Sequence, residues 1–391
     1  MPVELLVAGG GIGGLTAALA LARTGHTVEL LEQALQFGDV GAGIQLGPNA
    51  TRRLDALDLL PALRAVAAQP EALVIRSAGS DAELARLPLG SSMQQRYGAP
   101  YLCVHRADLH ALLLDAARRH AGVVLHTGAR IAQVSARGDA VCVSTDDARA
   151  WEADALVGAD GLWSRVRASV VDGAAPRATG HTAWRSLVAQ SALPPALRSQ
   201  QVRVWLGERL HAVSYPVRGG EALNVVVLAE AAPAGDARDW AQATSLGALH
   251  AATGRCAAGL QALLEAMPDW RAWTLADRPP LAGPQQMADD RIALLGDAAH
   301  PMLPYLAQGA GMAIEDAVAL ADALAGCTTA AVPAALRAYA QLRWQRNARV
   351  QARAQRNGGI FHATGPIRWG RDAGLRLLGP KLLDVPWLYA G

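Results

Sequence analysis

Gly9-Gly10-Gly11-Ile12-Gly13-Gly14 stands between an apolar stretch, Glu4 to Ala8, and an Ala/Leu-rich stretch, Leu15 to Arg23. The first reads as a short strand and the second as a helix; Thr27 to Leu31 reads as a second strand, ending at Glu32. Strand, glycine turn, helix, strand and acid, in that order, make a glycine run a dinucleotide-binding fingerprint. Gly9 permits the tight turn, Gly11 lets a pyrophosphate approach the backbone, and Gly14 lets helix and strand pack closely. The helix start at Ile12 and Gly13 offers N–H groups and a positive partial charge to phosphates. Glu32, 18 residues past Gly14, is placed to accept hydrogen bonds from a ribose hydroxyl. This segment alone does not separate NAD from FAD.

Two later stretches return to the same texture. Asp154 to Ala159 reads as an apolar strand leading into Asp160-Gly161. Arg291 to Leu295 is another, ending in Gly296-Asp297, which puts a carboxylate at the C-terminal edge of a sheet, where open α/β folds bind ligands. The loop Pro304 to Met312 then enters a helix at about Gly309, whose first N–H groups are suited to stabilising negative charge.

At 391 residues the chain exceeds one compact core and predicts two domains, or one with a large insertion. Apolar residues are 51 % and charged residues 18 %, which excludes a disordered chain. A net charge of +2 without a basic block gives no case for nucleic acid. Cys103, Cys142, Cys256 and Cys327 lack metal or redox spacing, so no metal site is expected. No run is long enough for a membrane span, and the expectation is a cytoplasmic protein, monomer or homodimer.

The sequence divides by texture. Residues 1–75, 101–176 and 276–391 are expected to form the dinucleotide-binding domain with C-terminal helices, and 76–100 and 177–275 an inserted β-sheet domain. Within the insertion, Thr182 to Ala189, Val202 to Leu206, His211 to Val217 and Leu223 to Leu228 read as strands of one antiparallel sheet. His105 to His120 reads as a helix, Val123 to Val143 as short strands, Gly309 to Ala325 as a helix, and Ala334 to Arg356 as a long helix ending at Gly358-Gly359.

The fingerprint, the run Gly158-Ala159-Asp160-Gly161-Leu162-Trp163-Ser164-Arg165-Val166-Arg167, and the run Leu295-Gly296-Asp297-Ala298-Ala299-His300-Pro301 together resemble the FAD-dependent aromatic hydroxylases. These single-component flavoprotein monooxygenases include salicylate, hydroxybenzoate and hydroxynicotinate hydroxylases. The resemblance implies an α/β fold: an FAD-binding Rossmann-like domain of the p-hydroxybenzoate hydroxylase type, an inserted antiparallel sheet for substrate, and C-terminal helices. It implies that Asp160, Gly161, Ser164 and Arg167 form the motif associated with FAD and NAD(P)H, and that Asp297 holds a ribityl hydroxyl. Arg106 matches an arginine that contacts FAD, and Val134 is counted with the cofactor residues. Val40 to Ala50, with Gly43 and Ile44, matches a segment beside the isoalloxazine. Gly309, Ala310, Gly311 and Met312 lie at the flavin's pyrimidine edge in the same reading. The chemistry implied is NAD(P)H reduction of FAD, capture of O2 as a flavin hydroperoxide, and transfer of one oxygen to an electron-rich ring.

A phenol reacts better as its phenolate, so a base beside its hydroxyl assists. His211 and Tyr215 are the candidates, since positions i and i+4 of a strand share a face. Related hydroxybenzoate and hydroxynicotinate hydroxylases have a His–Tyr pair in a comparable stretch. Pro304, Tyr305 and Gln308 are candidate substrate contacts; some hydroxybenzoate 6-hydroxylases have glutamine where this chain has Pro304. His300 and His362 are read as structural. Three other functions stay open here: a hydroxylase of a larger quinone precursor or polyketide, an NAD-dependent dehydrogenase, and a flavin-binding redox module without turnover.

Overall fold

The computed structural model describes residues 2–38, 41–171, 174–233 and 235–390; Val40, the head of the Val40 to Ala50 segment, lies outside them. A six-stranded sheet runs in the order Ala288–Asp289, Ile292–Leu294, Ala155–Gly158, Glu4–Ala8, Thr27–Leu31, Val123–His126. Its pairs are parallel apart from the 288–289 hairpin. Leu5, Val7, Leu30, Leu156 and Leu294 are buried, as expected for parallel strands covered on both faces. The helix Ile12–Arg23 is buried along almost its whole length because it lies between the helices Arg106–Arg119 and Gly309–Leu324. That position explains its Ala content, whose small side chains let three helices approach, while Leu15, Leu19 and Leu21 fill the core between them.

The second body is an eight-stranded sheet, ordered Gln242–Thr244, Trp270–Asp277, Arg177–Ala189, Ala222–Glu230, Leu210–Val217, Val202–Leu206, Ala72–Ser77, Glu83–Pro88. Two details differ from the sequence reading. The strand Ala72–Ser77 starts before residue 76, and it pairs in parallel with Val202–Leu206, so the sheet is antiparallel save for that one pair. On the strand Leu210–Val217, Ala212 packs under the helices Leu246–Thr253 and Ala258–Glu265, with Trp184, Trp205 and Val227. Alternation therefore turns His211, Val213, Tyr215 and Val217 the other way, towards the first body.

The helix Val332–Phe361 does not stop at Gly358-Gly359. A Cβ on Gly358 would lie 2.9 Å from the Tyr305 ring, so this glycine serves a close helix–loop contact and not a helix end. Among the described residues no helix is long and apolar enough to cross a membrane.

Candidate active site

The fingerprint loop is shaped by its own packing, with one exception. Gly9 has φ +103°, and a Cβ there would lie 2.5 Å from the Ala159 carbonyl oxygen. A Cβ on Gly14 would collide with the Gly9 carbonyl, and one on Gly13 would lie 2.9 Å from Leu295. Gly11 differs: a Cβ there would meet no atom within 4 Å. The space it keeps clear adjoins the N-terminus of Ile12–Arg23, where no side chain caps the helix. An open, uncapped helix start beside a bare glycine fits a pyrophosphate. Glu32 borders this loop, its Oε2 accepting from Gly10 N at 2.7 Å and its Oε1 from Ala34 N at 2.8 Å.

Asp160 and Arg167, expected among the cofactor contacts, are engaged by protein groups. Asp160 accepts from Ser164 Oγ at 2.5 Å and from the N–H groups of Arg165 and Val166 at 2.7 and 3.2 Å. Arg167 is buried and donates to the carbonyls of Ala298 and Ala299 at 2.7 and 2.8 Å. The middle motif thus fixes the loop that follows Asp297. Asp297 itself is exposed; the surrounding protein raises its carboxyl pKa, while His300 and Arg106 nearby pull it down. Val134 packs against the core of the first body.

Behind Asp297 lies a buried polar network that the sequence did not reveal. Asp316 accepts from His300 Nε2 at 2.5 Å, Arg343 Nε at 2.8 Å and Asn347 Nδ2 at 2.9 Å. His300, read as structural, is buried in this pairing. Gln308 belongs to this interior as well: it is buried, and its Oε1 accepts from Asn49 Nδ2 at 2.9 Å. Expected as a substrate contact, it borders the turn in which Ala307 has φ +51° and from which Gly309–Leu324 starts. The N–H groups of Gly309, Ala310 and Gly311 begin that helix without intrahelical partners, while Met312 is buried and donates its N–H to Gln308 O at 2.8 Å.

Burial raises the Asp316 carboxyl pKa, but His300, Arg343 and Asn347 outweigh it and hold the group well below the carboxylate range. A depressed folded value means stability that is complete above the unfolded value of about 3.9 and lost as pH falls below it. Asp316→Ala is expected to cost about 3–5 kcal/mol, because Arg343 and His300 stay buried without their partner. The urea midpoint of the purified protein measures this.

The two bodies meet at Gly43–Leu46, a strand paired with Leu102–His105. Gly43 N donates to Asn224 Oδ1 at 2.9 Å, and Gly43 O accepts from Tyr215 Oη at 2.5 Å. A Cβ on Gly43 would strike the Tyr215 ring. Tyr215 is therefore a clamp between the sheet and the strand that carries Ile44, and burial pushes its phenol well above the usual range. Tyr101 donates to Gln45 Oε1 at 2.7 Å on the same strand. Asn224 was detectable in principle: it is a lone amide within the apolar strand Ala222–Glu230.

His211, four residues before Tyr215, is 1 % exposed, and its Nδ1 lies 2.9 Å from His362 Nε2. Burial, with His362 and His181 alongside, lowers its pKa well below the ordinary imidazole value, so it is neutral at pH 7. Tyr305 is buried 5.3 Å from the His211 ring centroid and bonds His181 Nδ1 through its hydroxyl; Pro304 is exposed. His362, read as structural, and His181 thus join His211 and Tyr305.

A pyrophosphate cradle, an aspartate just past the C-terminal end of a central strand, and a second sheet fastened to the strand Gly43–Leu46 define a flavoprotein oxygenase architecture. A family model described as an FAD binding domain matches residues 2–354. A 3-hydroxybenzoate 6-hydroxylase of Polaromonas naphthalenivorans is 39 % identical over 391 residues, covering 99 % of this chain and 96 % of the relative. A 6-hydroxynicotinate 3-monooxygenase of Bordetella bronchiseptica is 36 % identical over 349 residues, covering 89 % of each chain. The crystal structure of Klebsiella pneumoniae HpxO complexed with FAD and uric acid superposes with a TM-score of 0.86 at 26 % identity, covering 97 % of this chain and 94 % of that one. The chain belongs to the FAD-dependent aromatic hydroxylases and is a flavoprotein monooxygenase.

Proposed function

We propose that this enzyme hydroxylates a small phenolic or hydroxypyridine carboxylate, consuming NAD(P)H and O2, with His211 as the base for the substrate hydroxyl. The observation that carries the reading is the buried His211–His362 pair on the same strand face as Tyr215, which is bonded to the strand Gly43–Leu46. FAD, when bound, supplies the redox and oxygen-activating chemistry. The open side of Gly11, Glu32, Asp297, Arg106 and the helix start at Gly309 would hold it.

The chain's own part is orientation and proton handling. His211 with its hydrogen on Nδ1 donates to His362 Nε2, which leaves His211 Nε2 to accept a proton from the substrate. Tyr215 fixes the distance between the sheet and the cofactor-side strand. The apolar surroundings of Tyr305 and Phe361 keep water from the reacting ring. The names of the relatives support a small aromatic acid. The reading includes a cytoplasmic monomer or homodimer with no nucleic-acid or membrane partner.

Hydroxybenzoates, salicylate and hydroxynicotinates are to be tried in turn, scoring NAD(P)H consumption and hydroxylated product. At least one is expected to give coupled product. If all gave peroxide alone or no stimulation, the small-acid reading would fail, and larger quinone or polyketide substrates would replace it.

A further inference from the structure

The histidine cluster continues outward from His211. His362 is 5 % exposed; its Nε2 faces His211, and its Nδ1 is buried with no hydrogen-bond partner. His181 engages the Tyr305 hydroxyl through Nδ1, which leaves Nε2. Glu230 stands directly across from His181 in the sheet, exposed, with its carboxylate 3.6 Å from Arg209 Nε. One ligand-capable atom from each of His181, Glu230 and His362 lies within 4.8 Å of the other two.

We propose that His181, Glu230 and His362 bind a divalent transition-metal ion of the zinc class, and that this ion switches off His211. The proposal of a switch rests on the reading of His211 as the base. Two imidazoles and a carboxylate are a zinc donor set. Both rings already have a partner on the far nitrogen, His211 for one and Tyr305 for the other, and such partners orient metal-bound histidines. Zinc bonds of about 2.0–2.1 Å bring tetrahedral ligand atoms to about 3.4 Å apart. Inward movement of the exposed Glu230 side chain closes the remaining gap, and water completes the shell.

The switch follows from the hydrogens on the rings. A neutral imidazole carries one N–H. An ion on His362 Nδ1 forces the hydrogen of His362 to Nε2, from which it donates to His211 Nδ1. His211 then carries its own hydrogen on Nε2, the atom that has to accept the substrate proton. Metal occupancy selects the tautomer of His211 that is unable to act as base.

The test uses the FAD-loaded enzyme and Zn2+. Elemental analysis after dialysis and competition with a chromophoric chelator should give one zinc per chain. Affinity should fall at least about tenfold in both Glu230→Gln and His181→Gln, no less than the loss of an outer partner costs. Hydroxylation by the wild type should fall as zinc binds and return with EDTA at constant FAD content, while Glu230→Gln stays active at the same zinc. No stoichiometric zinc, or equal affinity in both variants, overturns the site. Zinc bound through Glu230 without loss of hydroxylation overturns the switch. Failure of the base reading shows separately, as a zinc-free His211→Ala enzyme of normal rate.

Discussion

A His211→Ala enzyme is expected to retain its full FAD content and to hydroxylate about 10²–10⁴-fold more slowly, the usual cost of a lost general base. The side chain contacts Tyr305, Phe361 and His362, none of which belongs to the fingerprint loop or the Asp297 strand, so flavin binding should be untouched. His362 Nε2 loses its partner, a penalty of about 1–3 kcal/mol, which a chain of this size tolerates. The rate should partly recover at higher pH, where the substrate hydroxyl ionises unaided. Single-turnover hydroxylation across a pH series reads both effects. An unchanged rate with an unchanged profile would remove His211 from the chemistry.

Asp297→Ala should yield largely colourless protein. The exposed carboxylate, under the influence of Arg106 and His300, is an acceptor just past the end of its strand. Losing a hydrogen bond to a charged group costs about 1.5–3 kcal/mol, or about ten- to a hundredfold in FAD affinity. The ratio of flavin to protein absorbance after gel filtration, followed by titration of the stripped protein with FAD, measures it. Flavin content equal to the wild type would overturn the assignment of Asp297.

The parts of the fold legible in the sequence are those where local pattern and tertiary role coincide. Glu4–Ala8, Thr27–Leu31 and Val202–Leu206 are found at the residues expected, because apolar runs bounded by Gly, His, Glu or Gln leave little freedom. Gly358-Gly359 misleads for the opposite reason. Local propensity ends a helix there, but the packing of Tyr305 against Gly358 outweighs it. The strand Ala72–Ser77 could not be assigned to the second sheet, since its partner Val202–Leu206 lies far along the chain.

The candidate site divides in the same way. The fingerprint glycines and Asp297 are carried by short contiguous motifs. His181, Glu230 and His362 have no common spacing and come together only by sheet pairing and helix docking. Asp160, Arg167 and Gln308 are legible as positions, but their hydrogen-bond partners are not. Each is held by backbone or side chains of distant segments, and no motif specifies whether a polar group faces ligand or protein.

The helix Val332–Phe361 holds Asp316 through Arg343 near its middle and delivers His362 to His211 just beyond its end. At 1.5 Å per residue, about 27 Å of continuous rod separates Arg343 from Phe361. It acts as a gauge between the flavin-side loop and the proton acceptor. Substitutions on its exposed side leave that gauge alone, whereas inserting one residue between the two points would advance the far end by about 1.5 Å and turn it by about 100°. Register along this one rod, a property of length and not of composition, thus couples the two halves of the enzyme.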